Sequence, residues 1–240
     1  MAEVEWAREL ARRLLAERLP RRWAHTQGVA ARTAMLAPIL GDQAGTLTAA
    51  AYLHDIGYAP DLATTGFHPL DGARYLRDVA GADATLCRLV AHHSCATFEA
   101  TERGLAETLL SEFPPPERSL LAHALTYCDM TTGPDGRHLS VPERLAEIHS
   151  RYGPGHLVSR SIAAATPCIL AAARAVHPRR GPRRGGGPSP GTAGRCRPGN
   201  GRSAAALTGP SASPRPGREA PSAPRRTRCS AWARLRRPGR

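Results

Sequence analysis

Within the first 177 residues, apolar positions recur at the three- and four-residue spacing of a helix. Nowhere do they alternate with polar ones as a half-buried strand requires. That pattern restricts the folded part to an all-α architecture of about eight helices with short connections, large enough for one core. Residues 3–19 put Val4, Ala7, Leu10, Ala11, Leu14 and Leu15 on one face, and Pro20 ends the segment. A second helix is expected from Arg22 to Ala37, before Pro38. Gly41 to Gly45 reads as a turn, after which Thr46 or Thr48 can cap the next helix. Residues 58–67 read as a loop, and His68-Pro69 opens a helix to about Ala80. Asp83 caps the following one, whose stripe of Leu86, Leu89, Val90 and His93 puts His93 on the apolar face and His92 off it. Residues 98–112, 117–130 and the stretch from Pro142 to Tyr152 complete the set with a last segment, Leu157 to Val176, interrupted at Pro167.

Charge separates two regions. The chain carries +13 overall, yet residues 1–177 hold 17 Arg against 19 Asp plus Glu. Residues 178–240 hold 16 Arg against one Glu, with 11 Pro and 11 Gly. Lys is absent, so every side-chain cation apart from protonated His is Arg. The domain organisation read from this is a folded domain over 1–177 and an Arg/Pro/Gly-rich tail over 178–240. The tail lacks the apolar periodicity to offset its ordering entropy and is expected to be disordered. Such a segment can hold nucleic acid through phosphate contacts alone; it is also what GC-rich DNA encodes when read out of frame. The six Cys are scattered without a CxxC, which argues for reduced thiols rather than a disulfide scaffold. The acidic, amphipathic N-terminus is not a signal peptide, and no apolar run is long enough for a bilayer, so a cytoplasmic location with no membrane partner is expected.

The chemistry centres on Ala49-Ala50-Ala51-Tyr52-Leu53-His54-Asp55-Ile56-Gly57, an apolar helical run that ends in an adjacent His-Asp pair. Imidazole beside carboxylate suits a divalent ion such as Mn, Fe, Co, Ni or Zn. Around the pair stand His25 on an earlier helix, His68 after the loop, His92-His93 on the next helix and Asp129 ending a later one. A core His bonded to a carbonyl and an Asp at a helix end are the ordinary alternatives for each. All of these positions sit on apolar faces or at helix ends, where bundles build metal sites.

The ordered set His25, His54-Asp55 and Asp129 resembles the HD superfamily of metal-dependent phosphohydrolases. The phrases Arg22-Trp23-Ala24-His25, Leu53-His54-Asp55-Ile56-Gly57 and His68-Pro69-Leu70-Asp71-Gly72-Ala73 carry the likeness over roughly residues 20–130. The resemblance implies that His25, His54, Asp55 and Asp129 ligate a first metal. In branches with extra histidines, His68 and one or both of His92 and His93 hold a second, and the apolar stripe favours His93. Tyr58 stands where many members have Lys, and the chain lacks the Gly-Tyr-Pro phrase of the cyclic di-GMP branch, which argues against that substrate.

The implied activity is metal-assisted hydrolysis of a nucleotide or another small phosphoester, with Asp55 as ligand and base. Arg22, one turn before His25, meets the phosphate, with Tyr58 and Arg144 as further substrate contacts. Two rivals stand beside it: a sensor that keeps metal and ligand but not turnover, and a nucleic-acid-associated protein led by its tail. Because nothing in residues 178–240 can add to a core, truncation after His177 should leave the melting temperature unchanged. A fall of several degrees in a calorimetric scan would show that the tail packs.

Overall fold

The computed structural model describes residues 2–116 and 119–176; the expected tail, 178–240, lies outside them. The described residues are helical, with one isolated bridge, Thr132 to His138, in place of any strand. Eleven α-helices follow one another: α1 (Ala2–Leu15), α2 (Pro20–Arg32), α3 (Ala37–Leu40), α4 (Ala44–Leu53), α5 (His68–Asp78), α6 (Ala84–His92), α7 (Thr97–Glu102), α8 (Ala106–Glu112), α9 (Leu120–Met130), α10 (Val141–Tyr152) and α11 (Leu157–Val176). No helix among them is long and apolar enough to cross a membrane.

Helix α4 is the centre of the packing, in contact with α1, α2, α6 and α9. Leu47, Ala49, Ala50, Ala51 and Leu53 are fully buried, so it has no solvent face to speak of. Three consecutive alanines let neighbouring helices come close, and they hold the end of α4, where His54 and Asp55 emerge, in the protein interior. Helices α5 and α6 form a hairpin beside it, and α11 lies along α7, α9 and α10.

Two close approaches fix the loops. Gly57, in the 3-10 turn after α4, lies against the first residues of α5; a methyl group there would overlap the His68 carbonyl oxygen and sit 2.7 Å from the Gly72 nitrogen. Gly28 of α2 and Gly136, in the loop after α9, meet backbone to backbone, and Gly136 adopts φ +80°. That loop therefore seats directly on α2.

Several boundaries differ from the sequence reading. The second helix ends at Arg32, tightens into a 3-10 turn over Thr33–Leu36, and Pro38 then sits in the first turn of α3 instead of stopping a longer helix. Thr46 and Thr48 lie inside α4 and do not cap it. The Thr48 hydroxyl donates to the Ala44 carbonyl and meets Thr33 Oγ1 at 2.8 Å, satisfying both side chains locally. Residues 98–112 break into α7 and α8 around Gly104, φ +69°. Helix α11 runs through Pro167 unbroken, because its packing against α7 and α9 outweighs one lost backbone hydrogen bond. Asp83 caps α6 by accepting from the Thr85 N–H at 2.7 Å, as expected. The cysteines depart from expectation in one pair: Cys95 and Cys168, 73 residues apart, are disulfide-bonded, while Cys87 and Cys128 are free and buried. Sequence spacing could not reveal that pair, since it depends on how α11 packs on the turn after α6.

Overpacking a close backbone contact costs about 1–3 kcal/mol. Gly57→Ala should therefore lower the melting temperature by several degrees and displace the start of α5. An unchanged melting curve would contradict the close approach.

Candidate metal centre

Six of the residues singled out in the sequence converge at one end of α4. His25 comes from α2, His54 and Asp55 from the end of α4, His68 from the first position of α5, His93 from the 3-10 turn over His93–Cys95, and Asp129 from the last turn of α9. His25, His54, Asp55, His93 and Asp129 are all buried. Arg22, Tyr58 and Arg144 line the cavity that opens beside them. His92 stays apart, its Nε2 2.6 Å from the Phe113 carbonyl.

Asp55 belongs to two groups at once. Its Oδ2 lies 3.4 Å from His54 Nε2 and 3.7 Å from His25 Nε2, and accepts from Arg22 at 2.7 Å. Its Oδ1 lies 3.3 Å from His68 Nε2 and 4.0 Å from His93 Nε2. Within each set, His25–His54–Asp55 and Asp55–His68–His93, the potential ligand atoms all fall within 4.8 Å of one another. Asp129 borders the first set, with Oδ1 3.0 Å from His25 Nε2 and 3.9 Å from His54 Nε2.

The outer ring nitrogens decide what the inner ones can do. Nδ1 of His25 faces the Gly133 carbonyl at 2.9 Å, that of His54 the Ala51 carbonyl at 2.8 Å, and that of His93 the Val90 carbonyl at 2.7 Å. A carbonyl only accepts, so each neutral ring carries its proton on Nδ1 and turns an Nε2 lone pair inward. His54 Nε2 is buried with no hydrogen-bond partner at all. Lone pairs aimed at one another and at carboxylate oxygens repel unless a cation lies between them. Backbone carbonyls orienting metal-binding imidazoles are the usual outer-shell arrangement. The donor set fits a divalent ion, with His25, His54, Asp55 and Asp129 able to hold one, and Asp55, His68 and His93 a second.

Electrostatics follow from burial and partners. Burial alone would raise the Asp55 carboxyl; the Arg22 guanidinium and the His54 ring more than reverse that and hold it well below the carboxylate range. Asp129 is likewise held far below, with His25 chief among the groups that outweigh burial. Burial pulls His54 down, but Asp55 beside it leaves the net shift upward. His93 is pushed down to about 3 by burial and by the neighbouring His54 and His68, so it stays neutral and able to ligate. Tyr58 is raised above its ordinary range by burial and is a neutral phenol.

Arg22, Tyr58 and His68 form a stack: the guanidinium sits 4.0 Å above the phenol ring, and the phenol ring 3.9 Å from the imidazole. Two contributions escaped the sequence. Ser94 Oγ donates to Asp129 Oδ2, which turns Oδ1 toward the histidines; Ser94 adopts φ +50° to do so. Asp71, buried, accepts from the Thr65 N–H at 3.0 Å and from Thr64 Oγ1 at 2.7 Å, tying the loop to α5 just after His68.

The family model described as HD domain matches residues 22–132. Over those residues the chain is similar to an HD domain. No curated protein and no solved structure matches the chain. All six converging residues lie inside the matched span, as do Arg22 and Tyr58, whereas Arg144 is contributed from beyond it by α10.

The protein purified with Mn²⁺ should retain metal, and Asp55→Ala, which removes a ligand from both sets, should lose essentially all of it by elemental analysis. His93→Ala should lower the metal content while His92→Ala leaves it unchanged. Dispensable His93 with essential His92 would contradict the geometry.

Proposed function

We propose that this chain is a divalent-metal-dependent phosphohydrolase acting on a nucleotide or another small phosphoester. The observation that carries the reading is the convergence of three imidazole Nε2 atoms on two carboxylates, with Asp55 common to both sets, at the floor of an open cavity. The HD-domain match supports the coarser part, metal-dependent hydrolysis. A bound divalent ion supplies a water of lowered pKa and polarises a phosphoryl oxygen.

The chain's own residues supply the rest. Asp55 offers Oδ2 to one set and Oδ1 to the other, so neither oxygen is free to take a proton. Its part would be to hold the ions. Arg22 presents a permanent cation at the cavity wall, held in place by Asp55 and by Tyr58 beneath it. Arg144 is a second: its side chain is almost entirely buried, NH1 is bonded to Glu147, and its Nε is buried without an acceptor. A guanidinium left with an unused donor at a cavity wall is suited to an incoming phosphate oxygen. Neutral Tyr58 then contributes shape and stacking in place of charge.

A panel of phosphoesters assayed with Mn²⁺, Co²⁺ or Ni²⁺ tests the activity. Removing one preorganised donor from a water-poor site costs ~100-fold to ~1000-fold in rate. Arg22→Ala should lose that much kcat while keeping its metal. A variant with full turnover would make Arg22 purely structural, and wild-type protein that binds metal and phosphate without hydrolysing any member of the panel would favour a sensor.

A further inference from the structure

The 3-10 turn over His93–Cys95 carries much of the metal centre on a short piece of chain. His93 faces Asp55, and Ser94 Oγ donates to Asp129. Its backbone is unusual: Ser94 takes φ +50° and Cys95 φ +59°, side by side in the left-handed region. Among the described residues, only glycines otherwise have a positive φ. That conformation is uphill for a residue with a Cβ and persists only where the surroundings fix it.

Three side-chain ties fix this turn. The His93 ring meets the Val90 carbonyl at 2.7 Å, Ser94 holds Asp129, and Cys95 is disulfide-bonded to Cys168. The third is covalent and anchors the turn to α11, 73 residues further along the chain. Ala165, one turn before Cys168 on α11, lines the metal cavity with Cys95, so the bond closes the corner where α11 meets the turn. Cys95 is half-buried and Cys168 is exposed, so a soluble thiol reaches the bond from the Cys168 side. Cys87 and Cys128 stay free and buried, and the described residues are therefore no disulfide scaffold. A single bond in a chain of that kind is commonly transient and redox-sensing.

We propose that the Cys95–Cys168 bond is a redox-sensitive tie on the metal centre. Closed, it keeps the turn left-handed, with His93 on Asp55 and Ser94 on Asp129. A dithiol opens it: one thiolate attacks Cys168 Sγ and releases Cys95, and the second thiol then displaces Cys168. The dithiol ends as a disulfide, and its two electrons and two protons end on the Cys95 and Cys168 thiols. The freed turn relaxes toward ordinary backbone, which draws His93 away from Asp55 and His68 and leaves Asp129 less firmly oriented. Cys95 and Cys168 are positioning residues that act through His93 and Ser94. The inference rests on the metal centre and goes beyond the hydrolase reading, since it concerns metal affinity and needs no turnover.

The test is calorimetric titration of Mn²⁺ into the full-length protein carrying Cys196→Ser and Cys229→Ser, so that no other described disulfide or distal thiol changes state. Oxidised protein is compared with protein reduced by dithiothreitol and desalted without air. Groups that orient metal ligands from behind are worth ~10-fold to ~100-fold in metal affinity. Reduction should weaken the second Mn²⁺ by that factor and the first by less, and reoxidation should restore both. Cys168→Ser should behave as reduced protein under either condition. Adding Cys95→Gly to it should recover part of the loss, because glycine takes φ +59° without strain. The melting temperature of metal-free protein is followed in parallel, since a disulfide closing a long loop stabilises a fold whatever else it does. A lower melting temperature on reduction with unchanged Mn²⁺ affinities makes the bond a staple and overturns the proposal. A glycine variant that recovers nothing also overturns it, because the turn is then not what the bond controls. Oxidised protein that binds no Mn²⁺ removes the metal centre and the tie together, whereas equal binding in both states removes the tie alone.

Discussion

One buried carboxylate couples the two halves of the site. Asp55 turns one oxygen to His25 and His54 and the other to His68 and His93, in surroundings from which water is nearly excluded. A charge so placed is costly unless compensated. Arg22 supplies part of the compensation, and the His54 ring beside it adds to that. The same carboxylate that would assemble two ions also anchors the arginine that faces the cavity. The groups able to hold a metal, the placement of Arg22 and the integrity of the site are thus not separable at this residue.

The scaffold serves this arrangement through backbone contacts more than through side-chain size. The alanine-rich interior of α4 lets four helices close in, so His54 and Asp55 enter the packed interior at the floor of the cavity. Gly57 then turns the chain so tightly that α5 begins against it, which brings His68 to Asp55. The loop after α9, seated on α2 at Gly28 and Gly136, delivers the Gly133 carbonyl to His25. For His25, His54 and His93 a main-chain carbonyl, unspecific in identity but fixed in place, selects the tautomer that leaves Nε2 free.

The helices and the inward histidines could be read from periodicity because burial imposes a period on side-chain type. His93 is an instructive case. The stripe of Leu86, Leu89 and Val90 put it on the buried side, and it is buried, although α6 ends one residue earlier and His93 begins a 3-10 turn. Helix ends were less visible where a side chain satisfies itself locally, as Thr48 does, or where packing overrides a breaker, as at Pro167. Ser94 was invisible because its role depends on a left-handed backbone that no sequence pattern demands. The Cys95–Cys168 bond shares that limitation, for it arises where segments distant in sequence meet.

The central claim is that Asp55 is shared by two ions. Anomalous diffraction from crystals grown with Mn²⁺ tests it most directly. The account predicts two anomalous peaks, one among His25, His54, Asp55 and Asp129 and the other among Asp55, His68 and His93, with Asp55 in contact with both. A single peak, or a second one that Asp55 does not touch, would contradict it.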